Sequence, residues 1–433
     1  MRRAGAALRI LAALVGTAAI ACAEAPRPDP QLVVGTSGDY APFSHADAEG
    51  ALSGFDLTVA RAFARDAGLA LSFVRFAWPD LAEAVADGRF EVAMSGVTVR
   101  PERSVRGRFS LPVATSGAVA LVRRADAAGG LAGLDRPGVR IGVNAGGHLE
   151  RVARASFTRA TLVPFLENDA VRRAMASGAV RAVVTDTGEA PRWERTLGQV
   201  VRLGPFTRDR KAYLWSVDAV ARAESLDAWL LAREADGSLA RWRAHWLGAP
   251  GPETATPLSA LLSALGERLS LMPLVAESKR AAGLAVRDRA REAAVLDAAF
   301  RDVARRAAER GVAAPDRDRV VAFYRAQIEA AVAIQATVLA RPAGPDSGGF
   351  DLERELRPAL LRLGDRIAWA LVRIEDAPGR DALGEAVGAE LANFGLGAGH
   401  ADPLADALLA LAQDLAKARA RSPAITGSAN DTP

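Results

Sequence analysis

At 433 residues the chain is long enough for two to four domains, and its 50% hydrophobic and 24% charged residues exclude a disordered chain, a collagen and a coiled-coil rod. The single cysteine excludes a disulfide framework. The formal net charge is +4, of which Arg2, Arg3 and Arg9 contribute three, so residues 24–433 hold +1 and give no reason to expect a nucleic acid as partner, despite a pI of about 9.7.

Residues 1–23 have the pattern of a secretory signal peptide. A short basic start precedes an apolar run, and Ala21-Cys22-Ala23 fits the small-x-small rule for cleavage. The uninterrupted apolar run from Ile10 to Ala23 is short for a membrane span of about 20 residues, so we predict no stable span after cleavage. Cleavage would also remove the only cysteine, which suits an oxidising compartment. We therefore expect a periplasmic protein, with a lipid anchor at Cys22 as the alternative.

Between residues 24 and 247, short β-type runs alternate with amphipathic helical runs. The β-type runs are residues 32–35, 71–74, 91–94, 139–143 and 182–184. The helical runs are residues 55–67, 79–87, 147–155 and 168–177. This alternation indicates an α/β architecture with parallel sheets.

The pattern changes after a segment dense in Pro, Gly and Thr, residues 248–257, which we predict to be a linker. Residues 258–421 are rich in Ala, Leu and Arg, with apolar residues at i, i+3 and i+4, and predict an all-α domain. The polar residues 422–433 predict a disordered tail. The chain is thus predicted to hold an α/β domain followed by a helical bundle.

A series of motifs in the α/β half resembles the periplasmic solute-binding proteins of the polar amino-acid type. The motifs occur in the order of that family at residues 36–44, 54–56, 78–81, 94–103 and 109–112. The resemblance covers nearly all of residues 31–247. It implies a type II periplasmic-binding-protein fold, in which two α/β lobes enclose a ligand cleft.

The same resemblance implies a carboxylate-binding set at the end of a strand, formed by Ser95, Gly96, Thr98 and Arg103. The placement is physically reasonable, because α/β folds bind ligands at strand ends and a guanidinium fork matches a carboxylate. The alternative for Arg103 is a solvated surface arginine. We expect Tyr40 and Trp78 to form apolar walls of the cleft, with core packing as the alternative; for Phe43 the two are equally weighted.

A narrower resemblance points to the cyclohexadienyl dehydratases, enzymes built on this fold that turn prephenate into phenylpyruvate and arogenate into phenylalanine. It rests on Asp39-Tyr40-x-Pro-Phe-Ser, Trp78-Pro-x-Leu, Ala93-Met94-Ser95-Gly96, Lys211-Ala212-Tyr213 and Thr185-Asp186-Thr187-Gly188-Glu189-Ala190. The family pattern Thr-Asp-x-x-Glu-Ala implies that Glu189 is the general acid. Asp186 belongs to the same motif and is expected at the substrate.

The chemistry explains these residue types. Hydroxide is a poor leaving group, so the ring hydroxyl must be protonated as it departs, and a buried carboxyl with a raised pKa suits this task. Two carboxylates must also be oriented, for which Arg103 and Lys211 are candidates. Lys211 is one of only three lysines in an arginine-rich chain, which suggests that a compact ammonium is required there. Lys417, another of the three, is interpreted as a surface charge.

Residues 144–149 depart from the family pattern. Asn144-Ala145-Gly146-Gly147-His148-Leu149 replaces the family's Gly-Gly-Thr-Asn. A Gly-rich turn before a helix still offers backbone N–H groups, including that of Gly147, to an anion. His148 takes the place of a hydroxyl and either donates in its stead or is a half-exposed histidine at a helix start.

The helical half resembles the secreted, gamma-type chorismate mutases of the all-α class. The matching runs are residues 265–269, 275–279, 283–292, 323–335 and 356–366. The resemblance implies the pericyclic conversion of chorismate into prephenate, which requires no nucleophile, metal or cofactor. The enzyme holds a dianion in a compact conformer and stabilises charge on the ether oxygen.

Spacing supports a polar pocket in this bundle. Arg268 and Lys279 are eleven residues apart, so on one helix they share a face about 16 Å apart. Asp288, Arg291 and Glu292 share a face of a second helix. Polar groups that recur on apolar helices imply a polar pocket inside the bundle. The alternative is a generic bundle with solvated charge pairs.

The mutase resemblance also implies a role for each residue. Arg268 and Arg366 hold the carboxylates, Lys279 and Gln335 hydrogen-bond the ether oxygen, Arg291 and Glu292 fix the ring hydroxyl, and Asp288 supports them. Ala331 replaces the family's Ser or Thr. Some members have glutamate at Gln335, which must be protonated to donate, so glutamine predicts a flatter pH profile.

The product of one predicted activity is the substrate of the other. We therefore expect a bifunctional enzyme of phenylalanine biosynthesis whose partners are chorismate, prephenate and arogenate, without metal or cofactor. The alternative is an amino-acid-binding domain, for transport or sensing, fused to a mutase. In that case Asp186 would bind a ligand amino group and Glu189 would be incidental.

Overall fold

The fold is described from a computed structural model of the chain, for residues 30–248, 255–342, 349–376 and 379–421. The predicted signal peptide, most of the predicted linker and the predicted tail lie outside the described residues. An α/β part extends to Leu247, and helices follow from Pro257. The fold class is therefore the predicted one, an α/β protein of two lobes followed by an all-α bundle.

The α/β part contains fifteen strands and nine helices among its described residues. They are β1 (Gln31–Thr36), β2 (Asp39–Tyr40), β3 (Ser44–Ala46), β4 (Leu52–Ser53), α1 (Phe55–Asp66), β5 (Ala70–Arg75), α2 (Leu81–Ala86), β6 (Val92–Ala93), α3 (Pro101–Arg106), β7 (Arg108–Phe109), β8 (Ala114–Ser116), β9 (Ala118–Arg123), α4 (Gly130–Leu134), β10 (Arg140–Asn144), α5 (His148–Ser156), β11 (Thr161–Phe165), α6 (Asn168–Ser177), β12 (Ala182–Asp186), α7 (Ala190–Leu197), β13 (Val200–Leu203), β14 (Asp209–Lys211), β15 (Leu214–Trp215), α8 (Val220–Ala235) and α9 (Ser238–Leu247). Short 3₁₀ turns lie at Trp78–Asp80 and Arg124–Gly129.

Two five-stranded sheets define the lobes. Lobe one (residues 31–113 and 212–247) has the strand order β5-β1-β6-β15-β7, and lobe two (residues 117–208) has the order β11-β10-β12-β9-β13. β8 and β14 pair antiparallel and form the ribbon that connects the lobes. Every predicted β-type and helical run of this part overlaps a strand or helix of the structure.

The prediction of parallel sheets is correct only for part of each sheet. β1 pairs parallel with β5 and β6, and β10 pairs parallel with β11 and β12. β15 runs antiparallel to β6 and β7, and β9 runs antiparallel to β12 and β13. The physical reason is the crossing between lobes. β9 follows β8 of the connecting ribbon and β15 follows β14 of the same ribbon, so each of them enters its sheet from the end opposite to the parallel strands.

The helical part contains seven α-helices in its described residues, with a π turn at Leu352–Leu356. They are α10 (Pro257–Ser270), α11 (Met272–Ala281), α12 (Arg289–Glu309), α13 (Arg317–Leu339), α14 (Arg357–Leu371), α15 (Arg380–Ala392) and α16 (Ala398–Arg421). Side-chain caps fix several helix starts, because the orphan N–H groups of a first turn need acceptors. Thr256 and Ser259 form a capping box on α10, and Asp316 caps α13.

Two details of the helix predictions are wrong. Arg268 and Lys279 do not share one regular helix, because the chain is interrupted at Leu271 and α11 begins with Pro273 in its first turn. Proline has no N–H to donate to the preceding turn, which favours the break. Asp288 does not lie within a helix but is the N-cap of α12, where it accepts a hydrogen bond from the Arg291 N–H at 3.0 Å.

The stretch Pro257–Ala281 is long and apolar enough to cross a membrane, judged by length and composition alone. In its most apolar window 67% of the residues are buried inside the protein. Leu261, Leu265 and Leu269 are among them and pack in the hydrophobic core. Its apolar character is therefore accounted for by the packing of α10 and α11.

Lobe one and the helical bundle are joined by buried polar contacts. Arg306 of α12 pairs with Glu224 of α8 at 2.6 Å and with Asp365 of α14 at 2.5 Å. Arg362 of α14 donates to the carbonyl of Val105 in α3 at 2.9 Å. Helix α3, which carries Arg103, is thereby held against the bundle.

Candidate active sites

A cleft of about 380 Å³ lies between the two lobes. It is lined by Tyr40, Trp78, Gly96, Thr98, Arg103, Asn144, Gly147, His148, Leu149, Asn168 and Lys211. Eight of these were predicted from the sequence, and the fold brings them together from both lobes and the connecting ribbon. Asn144, Leu149 and Asn168 were not predicted as site residues.

Arg103 is buried in the cleft with only 3% of its surface exposed. Its Nη1 donates to the carbonyl of Thr98 at 3.0 Å, and its guanidinium lies 5.9 Å from the centroid of the Trp78 ring. Burial lowers the pKa of this guanidinium, and the nearby charge of Arg100 lowers it further. No carboxylate within the described chain forms an ion pair with Arg103, so its charge is available to an anionic ligand.

Lys211 lies at the centre of a buried polar cluster. Its Nζ donates to the hydroxyl oxygens of Tyr40 and Thr98, both at 2.9 Å, and lies 3.0 Å from Oδ2 of Asp186. The ammonium is also 5.6 Å from the centroid of the Phe43 ring, which is fully buried and does not line the cleft. The cluster holds the ammonium at the cleft wall.

The carboxylate of Asp186 is fully occupied by the protein. Oδ1 accepts the N–H groups of Gly188 at 3.0 Å and Glu189 at 3.1 Å. Oδ2 accepts the Tyr40 hydroxyl and pairs with Lys211. Burial opposes ionisation, yet the Lys211 charge and these hydrogen bonds hold the pKa of Asp186 below its ordinary value. Asp186 does not line the cleft in this structure, and its contact with substrate stays a prediction.

Glu189 is 3% exposed and lies behind the cleft wall. Its Oε1 accepts from Asn168 Nδ2 at 2.6 Å, and its Oε2 accepts from Thr185 Oγ1 at 2.7 Å. Burial raises the pKa of Glu189 well above its usual range, and the negative charges of Asp186 and Asp39 raise it further. Glu189 does not itself line the cleft, and Asn168 lies between Glu189 and the cleft.

A buried carboxyl supports the loop that carries the predicted carboxylate-binding residues. The N–H of Gly96 donates to Asp56, which also accepts the hydroxyl of Tyr213 at 3.1 Å. Gly96 has φ = 62°, and a Cβ there would come within 2.5 Å of the Tyr40 ring, so glycine is required. Burial raises the pKa of Asp56 to about 7. The sequence motif contained Asp56, but nothing in it indicated this titration.

Ser95, which was predicted to bind substrate, is engaged within the protein in this structure. Its side chain is fully buried, and its Oγ accepts from the N–H of Ser37 at 3.0 Å and lies 2.8 Å from the Ser37 hydroxyl. Ser95 does not line the cleft. A serine hydroxyl beside a strand end readily bonds the neighbouring backbone, which is its role here.

His148 lies both at the start of α5 and in the cleft wall. Its Nε2 is 3.0 Å from Oδ1 of Asp209 on the connecting ribbon. Burial lowers the pKa of His148, although Asp209 opposes the shift. His148 is therefore at a helix start as predicted but is mostly buried rather than half-exposed, and its role as a donor to substrate stays a prediction.

Contacts between the lobes close the mouth of the cleft. Glu102 of lobe one pairs with Arg151 of lobe two. Arg100 Nη1 donates to the carbonyl of Gly147 at 3.5 Å, and Asn168 Nδ2 lies at the same distance from the carbonyl of Asp39. The structure therefore has the lobes closed on the cleft.

A second, larger cavity of about 1640 Å³, open to solvent, lies in the helical part and is called the bundle pocket. Its polar lining is Arg268, Lys279, Arg287, Asp288, Arg291, Glu292, Asp302, Tyr324, Gln335 and Arg357. Six of the seven residues predicted for this site are therefore brought together. Ala331 lines the pocket as well.

Three of the cations that line the bundle pocket have no ion-pair partner in the described part of the chain. Arg268 Nη1 donates to the carbonyl of Leu360 at 3.2 Å, and Lys279 Nζ donates to the carbonyl of Val286 at 2.6 Å. Within the described ranges, neither these two residues nor Arg291 has a carboxylate in ion-pair distance. Three such cations around one cavity suit a ligand with two negative charges.

Gln335 is buried at the wall of the bundle pocket. Its Nε2 makes two weak contacts, with Sδ of Met272 at 3.5 Å and the carbonyl of Ala331 at 3.3 Å. Oε1 has no hydrogen-bond partner in the described part of the chain. The amide is therefore weakly held and can turn its donor toward a ligand.

Arg366 lies outside the bundle pocket in this structure, although it was predicted to hold a substrate carboxylate. Its Nη1 donates to Oε2 of Glu267 at 2.6 Å, and the residue is 5% exposed outside the bundle pocket. Arg357, nine residues earlier on α14, lines the pocket instead. At 100° per residue, nine residues place the two side chains on opposite faces of the helix. The spacing of Arg357 with Leu361 and Gly364, which also line the pocket, could have identified the correct arginine.

Together the fold and sites define a two-lobed α/β binding-protein architecture joined to a helical bundle with an anion-binding pocket. The family model of bacterial extracellular solute-binding proteins, family 3, matches residues 32–249, and that of chorismate mutase type II matches residues 259–336. The chain belongs to the bacterial extracellular solute-binding proteins, family 3, and carries a chorismate mutase type II domain after that region.

The chain is also similar to individual proteins. The chain is 34% identical over 221 residues to the cyclohexadienyl dehydratase of Pseudomonas aeruginosa. The matched region is 50% of this chain and 82% of that protein. It is 26% identical over 155 residues to the L-cystine-binding protein of Escherichia coli, over 36% of this chain and 58% of that protein. The crystal structure of an ancestral amino acid-binding protein, described as a precursor of cyclohexadienyl dehydratase, matches with 30% identity and a TM-score of 0.48, over 50% of this chain and 95% of that one.

Proposed function

We propose that the chain is a bifunctional enzyme that converts chorismate into prephenate in the bundle pocket and prephenate into phenylpyruvate in the interlobe cleft. Arogenate is the second substrate of the cleft and yields phenylalanine. The 34% identity to a cyclohexadienyl dehydratase and the chorismate mutase type II domain support two consecutive reactions in one chain. The observation that carries the proposal is the cleft, which is lined by the cations Arg103 and Lys211 and by no carboxylate among the described residues, with the buried carboxyl of Glu189 behind its wall.

In the bundle pocket, the residues bind and orient a dianion. We propose that Arg268 and Arg357 hold the two carboxylates, with Arg357 in the place first given to Arg366. Lys279 and Gln335 donate to the ether oxygen, where negative charge develops as the C–O bond breaks. Electrons move in a ring within the substrate, so the protein transfers no proton.

The polar residues at the start of α12 would fix the substrate hydroxyl. We propose that Arg291 and Glu292 hydrogen-bond it, while Asp288 holds the first turn of α12 through the Arg291 N–H. A compact conformer held at both carboxylates and at the hydroxyl is close to the geometry of bond formation. The pocket would therefore accelerate the rearrangement by orientation and by electrostatic stabilisation.

In the interlobe cleft, the cations orient prephenate and one carboxyl supplies a proton. We propose that Arg103 and Lys211 bind the two carboxylates, and that the carboxylic acid of Glu189 protonates the departing ring hydroxyl. Water then leaves, the ring C–CO₂ bond breaks and its electron pair aromatises the ring. Glu189 is left as a carboxylate and takes a proton from water. Because Asn168 separates Glu189 from the cleft, substrate must displace the Asn168 amide.

The amino-acid-binding alternative is weakened by Asp186. A receptor for amino acids needs a carboxylate for the ligand ammonium, and Asp186 is the residue that would serve. Its four acceptor positions are filled by Lys211, Tyr40 and two backbone N–H groups. Binding an ammonium there would first require breaking the buried pair with Lys211.

The first experiment is to give the purified protein chorismate alone and to identify products over time. We expect phenylpyruvate, with prephenate as a transient intermediate. Accumulation of prephenate without phenylpyruvate would support the mutase activity and would indicate that the α/β domain is a binding module and not a dehydratase of prephenate. Chorismate left unchanged would contradict the mutase assignment.

We also propose that the protein acts in the periplasm. The family to which the α/β domain belongs is described as extracellular, and residues 1–23 have the signal-peptide pattern. Cell fractionation with an antibody to the chain tests this, together with the N-terminal sequence of the recovered protein. A chain that starts at Glu24 in the periplasmic fraction is expected, and an intact leader in the cytoplasm would contradict it.

A further inference from the structure

The bundle pocket contains a buried hydroxyl to which no role has been given. Tyr324 of α13 lines the pocket and is 3% exposed, and its hydroxyl has no hydrogen-bond partner among the residues that the structure describes. An unpaired buried polar group destabilises the folded state. Such groups in folded proteins therefore call for an explanation, of which a missing ligand is one.

The position of Tyr324 on α13 places it at the far end of the pocket from Gln335. Tyr324, Ile328, Ala331 and Gln335 all line the pocket and follow one another by three or four residues, so they form one strip of α13. The eleven residues from Tyr324 to Gln335 correspond to about 16 Å along the helix axis. Tyr324 and Gln335 therefore lie at the two ends of this strip, and Arg268 lines the same pocket.

The charges around Tyr324 fit an anionic acceptor. Burial raises the pKa of the phenol above its ordinary value, and the charge of Arg268 only partly opposes this shift. Asp302 and Asp365 act in the same direction as burial. The hydroxyl therefore keeps its proton across the physiological range and remains a donor. Arg268 interacts electrostatically with this phenol and has no carboxylate partner of its own in the described ranges.

We infer that Tyr324 is a substrate-binding residue of the bundle pocket, whose O–H donates a hydrogen bond to the substrate carboxylate held by Arg268. This inference rests on the proposed mutase function. A hydrogen bond from a neutral hydroxyl to a carboxylate is stronger than one between neutral groups. A neutral donor beside Arg268 would increase the affinity of the pocket for this carboxylate. It would do so without adding a fourth unpaired cation to Arg268, Lys279 and Arg291.

The test is the Tyr324→Phe variant, which removes one oxygen and keeps the ring. We expect KM for chorismate to rise about tenfold or more, with a smaller change in kcat, because the bond is made to both substrate and transition state. The melting temperature should be unchanged or higher, since the variant removes an unpaired buried hydroxyl. Dehydration of prephenate by the same preparation is the internal control and should be unchanged.

A matched control lies on the same helix. Gln327 is buried, its amide nitrogen and oxygen have no hydrogen-bond partner in the described chain, and it does not line the pocket. Gln327→Met should leave KM and kcat for chorismate unchanged. Tyr324→Phe with a wild-type KM, or an equal rise of KM in both variants, would overturn the inference. Failure of the wild-type protein to rearrange chorismate would instead overturn the proposed mutase function.

Discussion

The ammonium of Lys211 lies 3.0 Å from Oδ2 of Asp186, and this buried pair joins the connecting ribbon to the end of strand β12 in lobe two. The pair occupies the carboxylate that would bind a ligand amine if the domain were an amino-acid receptor. It also places a positive charge at the cleft wall beside that of Arg103. The cleft is therefore better suited to a ligand that carries only carboxylates than to one that also carries an ammonium group.

This pair predicts a preference between the two proposed substrates of the cleft. Arogenate differs from prephenate by an ammonium group, for which none of the lining residues provides a free carboxylate. We therefore expect kcat/KM to be higher for prephenate than for arogenate, measured on the same preparation. Equal values would contradict this reading. Lys211→Gln should free Asp186, and the preference should shift toward amine-bearing ligands while prephenate turnover falls.

Glu189→Gln should abolish dehydration and leave the mutase intact. An amide keeps the shape of the side chain and its contact with Asn168, but it has no acidic proton to give to the ring hydroxyl. We expect a fall in kcat of about a hundredfold or more, followed as phenylpyruvate formation from prephenate. Glu194→Gln, in the half-exposed pair with Arg202, is the control and should retain activity. Retained dehydration in Glu189→Gln would require another acid.

The mutase should show little pH dependence above neutral pH, because the amide of Gln335 donates without titrating. Gln335→Glu should introduce a dependence, since a carboxyl donates only when protonated and is lost as a donor above its pKa. We expect the activity of this variant to fall about tenfold per pH unit above that pKa. Initial rates from pH 5 to 9 at saturating chorismate check this. A steep fall of the wild-type rate above pH 7 would contradict it.

Arg357 and Arg366 should differ in the kind of loss that their substitution causes. Arg357→Ala should raise KM for chorismate and change the melting temperature little, because Arg357 lines the pocket and its partner Glu353 is exposed. Arg366→Ala leaves Glu267 buried without its partner and should lower the free energy of unfolding by about 3–5 kcal/mol. Enzyme kinetics and thermal unfolding distinguish the two. The opposite result would restore Arg366 to the substrate site.

Asp56 should make the stability of the protein depend on pH. Its pKa is about 7 in the folded state, against 3.8 ordinarily, so the folded state binds this proton more tightly. Its contribution to stability is fully present below about pH 4 and is lost as the pH rises through 7. Asp56→Asn keeps an acceptor for the Gly96 N–H and removes the titration. Chemical denaturation between pH 4 and 8 should show a shallower decline for the variant, and identical slopes would contradict this.

Local patterns were enough to predict nine of the strands and helices of the described α/β part and most of the polar lining residues of the two cavities. The alternation of strand and helix runs follows from hydrophobic periodicity, which is a property of each segment alone. Arg103, Lys211 and Lys279 were identified because their chemistry suits carboxylates and because they lie in recognisable motifs. All three do line a cavity. Periodicity was less informative about where a segment ends, and the break at Leu271 depended on a single proline.

The same patterns could not predict which group each polar side chain contacts in the folded protein. Arg366 and Arg357 are both arginines on one helix, and only the packing of α14 between α10 and the pocket separates their roles. Ser95 lies in the motif that predicted a carboxylate-binding set, yet its hydroxyl oxygen accepts a hydrogen bond from the N–H of Ser37. Asn168 carried no motif and was not predicted, although it separates Glu189 from the cleft.

The sequence by itself determined the two architectures, their order and the chemical types available to each site, because these depend on residue identity and local spacing. Only the tertiary structure decided which of those groups face a ligand and which face each other. Asp186, Tyr40 and Lys211 are distant in the sequence and meet where the two lobes close. The physical reason is that helix and strand periodicity set the direction of a side chain relative to its own element, whereas burial, charge pairing and pKa depend on neighbours brought in by the packing of other elements.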